Sequence, residues 1–304
     1  MKIKAAVLYE PHKPMVVETI DIDEPREGEV LVRIMAAGVC YSDYHIMIGE
    51  WSWPLPVVLG HEGAGVVERV GPGVTRMEPG QTVILNFRAN CGTCHYCIIG
   101  RPVLCDGVSA PRHTLFDGSS RLSKDGQTIH HMARTSCFAE YAVVPESGAV
   151  PVRADMPLDK GCLVGCAVMT GVGAVFNTAG LEPGSRAAVF GIGGVGLNAV
   201  QGCATAGAEM IVAVDNNPKK LAMAREFGAR GIAVNTVAPG AIETDFGGGL
   251  VRDNAEVNAQ FAGMTALGRV GLPDDIGPMI ASLLRDDNRW VTAQRIEVSG
   301  GQTI

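Results

Sequence analysis

Arg186-Ala-Ala-Val-Phe-Gly191-Ile-Gly193-Gly194-Val195-Gly196, answered nineteen residues beyond its last glycine by Asp215, decides the fold of this chain. Arg186 to Phe190 reads as a buried strand running into a glycine turn. A helical pattern follows through about Ala206, and a second strand, Met210 to Val214, ends at Asp215. A glycine fingerprint alone is weak evidence. One that follows a strand, opens a helix and is trailed by an acid is strong. Its glycines let backbone amides approach a pyrophosphate at a helix N-terminus. Asp215 would accept hydrogen bonds from the adenosine ribose and repel a 2′-phosphate, which favours NAD over NADP. The competing reading is a βαβ unit that binds nothing.

Upstream the character changes. Residues 1–150 show short alternating strands at Val16–Ile20, Glu29–Ala36, Gly65–Val70, Gln81–Leu85 and Phe138–Val144, punctuated by glycine and proline turns. This predicts a strand-rich, barrel-like domain, and Cys91-x-x-Cys94-x-x-Cys97-x7-Cys105 forms an excursion from it. Four cysteines at these gaps suit a closed, tetrahedral, all-thiolate zinc site. Buried thiols or disulfides are the alternative, disfavoured because four of the nine cysteines crowd into one turn-rich stretch. Cys40 and His61 lie outside the cluster and are candidates for a second, open metal site.

A length of 304 residues predicts two domains, 1–150 and 151–304. A net charge of −7 without a basic run argues against nucleic acid as a partner. The apolar stretch Gly161–Val175 is too short for a membrane span, so a buried helix is expected there. The N-terminus lacks a signal-peptide core. Free cysteines beside a metal cluster point to a reducing, cytoplasmic setting. No lysine follows Lys220, no cysteine Cys203, no tyrosine Tyr141 and no histidine His131. Acid–base or metal chemistry must therefore sit in the front two-thirds.

At this point the motifs carry a family resemblance. Gly38-Val39-Cys40-Tyr41-Ser42-Asp43, Gly60-His61-Glu62-Gly63-Ala64-Gly65, the Cys91–Cys105 loop, Asp117-Gly118-Ser119-Ser120-Arg121 and Gly165-Cys166-Ala167-Val168-Met169-Thr170-Gly171 resemble the zinc-containing alcohol dehydrogenases of the medium-chain dehydrogenase/reductase family. The match runs over about residues 1–229. It implies an α/β protein: a β-rich GroES-like zinc domain followed by a Rossmann-like parallel sheet. It also implies two zinc ions per chain, a catalytic one on Cys40, His61 and Cys166 and a structural one on Cys91, Cys94, Cys97 and Cys105. Three protein ligands leave a position open for alcohol or water. Glu62 matches the near-metal carboxylate, and Asp43 the acid that orients the ligand histidine. Ser42 and His45 match a proton path, since histidine titrates near neutrality. Phe87 matches an aromatic of the substrate pocket, with Trp51 and Trp53 as further apolar walls. Such a slot favours medium-sized or aromatic primary alcohols and their aldehydes. Thr170 and Val195 match contacts to the nicotinamide side, and Lys220 a lysine near the ribose. Two departures stand out. Tyr41 replaces a basic residue that several members carry near the pyrophosphate, and Ser109 replaces an arginine of the glutathione-adduct branch, disfavouring that substrate.

The resemblance stops near Phe227-Gly228-Ala229-Arg230. From about residue 229 to 304, Gly231-Ile-Ala-Val-Asn-Thr-Val-Ala-Pro239-Gly240-Ala-Ile-Glu-Thr244, Gly268-Arg-Val-Gly271 and Arg295-Ile-Glu-Val-Ser-Gly-Gly301 look like the late part of a short-chain dehydrogenase/reductase. The nucleotide domain thus reads as a hybrid, medium-chain type over 151–229 and short-chain type over 230–304, reduced by the loss of middle strands. Uncovered apolar surface is expected. Short-chain chemistry needs a Tyr-x-x-x-Lys pair, which the tail lacks. Two function classes therefore stay open: an NAD- and zinc-dependent dehydrogenase of primary alcohols, and a chimeric zinc- and NAD-binding protein without turnover. A homo-oligomer also stays open.

Overall fold

The computed structural model describes residues 1–228, 233–292 and 294–302. The join expected near residue 229 lies outside the described residues. Two compact units are present, Met1–Ala167 and Val168–Ile304.

The first unit holds two sheets. Strands β1 (Lys2–Leu8), β2 (Val16–Ile22), β3 (Glu29–Gly38), β4 (Val57–Val58), β5 (Glu62–Val70), β6 (Thr82–Leu85), β7 (Leu122–Lys124), β8 (Gln127–His131), β9 (Tyr141–Pro145) and β10 (Ala149–Pro151) follow in chain order. A closed barrel runs β1-β2-β7-β8-β4, and a five-stranded sheet runs β10-β6-β5-β3-β9. In β1 the residues Ile3, Ala5 and Val7 alternate inward, which is the period of two that a half-buried strand demands. They join Ile20, Leu31, Val58 and Val143 in one apolar cluster. The hairpin β7–β8 was not legible in the sequence, because its strands are three and five residues long.

Residues 151–167 stay with this unit. The helix Leu158–Gly161 is followed by a 3₁₀ turn over Cys162–Gly165, and Cys162 packs on Ala64 and Ile84. One expectation is corrected here. Gly161–Val175 is not a single buried helix. It breaks at Cys166, whose φ and ψ are −141° and −71°, before a new helix, Ala167–Gly173, begins. Leu163, Val164 and Phe176 are exposed. Glycines at 161, 165, 171 and 173 weaken helical continuity, and the break turns the Cys166 thiol inward.

The second unit carries a parallel four-stranded sheet in the order β11 (Arg186–Phe190), β12 (Met210–Val214), β13 (Ala233–Pro239) and β14 (Arg295–Val298). All five residues of β12 are buried, as expected of a parallel strand covered on both faces. On one face Ile211 and Ala213 pack with Val200, Cys203, Leu221 and Ala224 of the helices Gly194–Thr205 and Pro218–Gly228. On the other, Val212 and Val214 meet Ile276, Ile280 and Leu283 of the helix Pro273–Leu283. The C-terminal segment thus supplies half of the core around a strand that belongs to the upstream motif. Arg186 adds a tether, donating to the carbonyl of Leu284 at 2.8 Å. Trp290 and Phe246, at 94% and 81%, are the most exposed large apolar side chains of this unit among the described residues. No single helix among the described residues is long and apolar enough to cross a membrane.

Candidate active site

Cys40 caps the short helix Tyr41–Met47, which begins where β3 ends. His61 directly precedes β5, and Glu62 is its first residue. Cys166 stands at the helix break. Donor atoms of Cys40, His61, Glu62 and Cys166 all lie within 4.8 Å of one another, three of these residues buried and Cys40 partly so. Asp43 organises them. It is 1% exposed, and its carboxylate accepts from Cys40 N at 2.9 Å and Gly60 N at 3.0 Å. It also lies 3.3 Å from His61 Nδ1. An Nδ1–H donated there would leave Nε2 available to a metal.

The electrostatics suit a cation. Cys40 is held down to about 3, first by the hydrogen bond from Cys166 and then by that from His61. Burial works against a charged His61, but Asp43 and Cys40 outweigh it and raise it to about 9. Glu62 is raised by burial first and then by the Cys40 charge, and it accepts from Ala167 N at 3.2 Å. Two sulfurs and an imidazole in a buried pocket form a soft, borderline donor set that fits zinc.

Gly38 and Gly60 are required here. A Cβ at Gly38 would stand 2.2 Å from Glu62 Oε2. Gly60 has a φ of +91°, and a Cβ there would meet the backbone nitrogen of Phe138 at 2.8 Å. Phe87 sets its ring edge-on to His61 at 5.5 Å, forming an apolar wall. Ser42 Oγ lies 3.7 Å from Cys40 Sγ. His45 pairs through Nδ1 with Glu50 and stacks on Trp51 at 4.9 Å. Trp53 is instead fastened inward, donating to the carbonyl of His131 at 3.0 Å. Glu50 was missed in the sequence, because its proximity to His45 depends on the turn after the helix.

The four sulfurs of Cys91, Cys94, Cys97 and Cys105 form the second cluster. Their separations are 3.5 Å (Cys94–Cys97), 3.6 Å (Cys91–Cys105), 3.8 Å (Cys94–Cys105) and 4.0 Å (Cys91–Cys97). A regular tetrahedron with Zn–S bonds of about 2.3 Å separates its sulfurs by roughly 3.8 Å. Disulfides, at about 2.05 Å, are excluded, and none joins any of the nine cysteines. Hydrogen bonds from Thr93 and then Cys94 lower Cys91 to about 6, whereas burial and then the neighbouring thiols push Cys97 up to about 12. Thiols at this spacing cannot all ionise without a cation among them.

In the second unit, Gly191 has a φ of +82°, and a Cβ on Gly196 would fall 1.8 Å from Gly191 O, so both positions need glycine. Gly193 caps the helix and Gly194 begins it. Gly193 has open space where a side chain would stand, leaving room for a ligand to approach the backbone. Val195 and Thr170 are exposed. Asp215 is buried at the end of β12, and its carboxylate accepts from Ile192 N at 2.7 Å and Asn217 N at 2.8 Å. Lys220 Nζ is 3.4 Å away. Asp215 therefore also pins the glycine turn to the neighbouring strand.

Two family models match separate stretches: an alcohol dehydrogenase GroES-like domain over residues 26–154, and an enoyl-(acyl carrier protein) reductase over residues 220–303. Among solved structures, an alcohol dehydrogenase zinc-binding domain protein from Burkholderia ambifaria is 30% identical, with a TM-score of 0.72, covering 100% of this chain and 85% of its own. Benzyl alcohol dehydrogenase from Acinetobacter calcoaceticus is 25% identical, with a TM-score of 0.70 and coverages of 100% and 86%. Acetophenone reductase from Geotrichum candidum, solved with NAD, is 25% identical, with a TM-score of 0.62 and coverages of 81% and 70%.

Proposed function

Because the chain belongs to the zinc-containing alcohol dehydrogenases of the medium-chain dehydrogenase/reductase family, we propose that it interconverts primary alcohols and aldehydes using zinc and NAD. The observation that carries this reading is the buried convergence of Cys40, His61, Glu62 and Cys166 beside the ring of Phe87. Cys40, His61 and Cys166 would hold the catalytic zinc, and Cys91, Cys94, Cys97 and Cys105 the structural one. Zinc supplies Lewis acidity toward an alcohol or carbonyl oxygen, and NAD supplies the hydride acceptor.

The protein's own groups do the rest. Asp43 keeps His61 in one tautomer and orientation, and fixes Cys40 through its backbone amide. Ser42 takes the hydroxyl proton of the alcohol. His45, oriented by Glu50, passes it to solvent. Phe87 gives the pocket an apolar wall suited to aliphatic or aromatic chains. The amides of the Gly191–Gly196 turn receive the pyrophosphate at the N-terminus of the helix Gly194–Thr205. Asp215 and Lys220 face the ribose, while Thr170 and Val195 meet the nicotinamide side. The absence of disulfides among the described cysteines supports a cytoplasmic setting.

A second reading, a chimera that binds zinc and NAD without turnover, is favoured by one observation. In a doubly wound sheet the dinucleotide lies in the crevice where strand order reverses beside the first strand. Here the order is β11-β12-β13-β14 without reversal, so the fingerprint strand β11 is an edge among the described residues. NADH formation from ethanol, hexanol and benzyl alcohol by zinc-replete, monodisperse protein separates the two, with Cys40→Ala as control. Turnover that vanishes in the control supports the dehydrogenase. NAD binding without turnover in well-folded protein overturns it.

A further inference from the structure

Phe87, whose ring faces His61, also lines a separate cavity of about 90 Å³, roughly three times the share of one water in the liquid. Arg88, Arg112 and Arg134 line it together, and its described lining contains no carboxylate. Arg134 is the unusual member. It is 7% exposed, yet it makes no ion pair among the described residues, and its Nε is buried without a hydrogen-bond partner. Nη2 donates to the carbonyl of Ala110 at 2.5 Å, and the guanidinium lies 5.4 Å from the ring of Phe116. Arg88 is committed to the carbonyl of Val103 through Nε at 3.1 Å and through Nη2. Arg112 is exposed and has no ion-pair partner among the described residues.

A buried cation with no carboxylate partner is costly, the Cys105 sulfur being the negative group beside it, and an orphaned donor on it adds to the cost. The backbone adds strain in the same place. Ala133, Arg134 and Ser136 all take left-handed conformations, with φ of 49°, 64° and 52°. Side chains of the same loop pin it there, Ser136 Oγ donating to Val58 O at 2.9 Å and Thr135 Oγ1 to Gly60 O at 3.1 Å. Strain of this kind persists where the surroundings impose it and clusters at ligand clamps.

We propose that this cavity binds a small oxyanion, a phosphate or carboxylate group, seated on Arg134 with Arg112 closing over it. An oxyanion offers acceptors for the orphaned Nε, and its charge meets three guanidinium groups against the one sulfur, Cys105, that also lines the cavity and faces Arg134. Two sources share this chemistry: a free inorganic anion, or an anionic group borne by an alcohol that enters past Phe87.

The test is calorimetric titration of zinc-replete, full-length protein with inorganic phosphate at constant ionic strength, beside chloride as the matched control. Saturable binding of phosphate is expected, weakened about tenfold or more in Arg134→Met and Arg112→Gln. Should Arg134→Met fail to fold, Arg112→Gln, at an exposed position, carries the comparison. Displacement of bound phosphate by 4-(hydroxymethyl)benzoate but not by benzyl alcohol assigns the anion to the substrate. Phosphate binding indifferent to both assigns it to a free anion. Absence of saturable phosphate binding overturns the site, as does binding unchanged in both variants. So does loss of zinc from Arg134→Met with no phosphate effect in the parent protein, since the arginine would then serve the Cys105 cluster.

Discussion

His61, Glu62 and Cys166 are 3%, 2% and 8% exposed and hang from strand β5 and a helix break, with Asp43 tying the ligand elements together. From Cys91 to Cys105, by contrast, no residue is buried, and Ile98, Ile99, Val103 and Leu104 lie open to solvent. The first site is shaped by the fold around it. The second is a fifteen-residue loop with no core of its own, so a metal bound among its thiols would stand where a core would. The difference teaches that the same ligand chemistry can be the product of a scaffold or its cause.

Breaking the loop should give the largest effect. Structural zinc is worth about 10–16 kcal/mol in small metal-organised peptides. Cys94→Ala should therefore lower zinc from two ions to one per chain and open the segment to trypsin at Arg101, while circular dichroism of the barrel persists. Cys40→Ala should also cost one zinc, by mass spectrometry of the metal content, yet leave Arg101 protected. Equal protease sensitivity in the two variants would erase the distinction.

Next in size is the barrel's own anchor. Arg121, 1% exposed, clasps Glu29 at 2.6 Å and Asp117 at 2.7 Å. Against the cost of burial, hydrogen bonds from Arg121 and then Ser119 hold Asp117 well below the usual carboxylate range. Leaving Glu29 buried without its partner, in Arg121→Ala, should cost about 3–5 kcal/mol in urea unfolding. The loop's zinc should be retained at low urea. Asp43→Asn should weaken metal binding or activity about 10- to 100-fold, read by competition with a chelator and by kcat/KM. The loop cluster should not respond.

Acid sharpens the contrast at smaller scale. Burial, and then Arg121, push His131 down to about 3. Between the unfolded value near 6.5 and that figure the unfolded chain binds a proton that the folded chain refuses. Stability should be flat above about pH 6.5 on this account and fall below it, by up to about 1.4 kcal/mol per pH unit. His131→Gln should flatten the slope in pH-dependent urea titrations, whereas a cysteine variant of the loop should not.

Much of this was legible beforehand, for local reasons. Strand β12 was readable to the residue, because Met210–Val214 is an unbroken apolar run closed by Asp215. The cysteine spacing announced the loop cluster, whose ligands are neighbours in sequence. The Cys40, His61 and Cys166 grouping came only through family resemblance, since its members are far apart in the chain. Glu50 beside His45 and the arginines around Phe87 were not legible at all. Their meetings are set by turns and by the left-handed loop at Ala133–Ser136, which no periodicity encodes. The continuous helix expected at Gly161–Val175 failed because apolar composition says nothing of where a glycine-rich segment breaks.

Strand β11 has a partner on one side only among the described residues, and Phe190 at its end is 65% exposed. A bare row of amides and carbonyls on a parallel sheet is a template that other chains can extend. The protein's handling in solution therefore becomes part of its biochemistry. Losses on concentration should scale with chain density, and a lysine at an outward position of β11 should raise the soluble yield without touching either thiolate site.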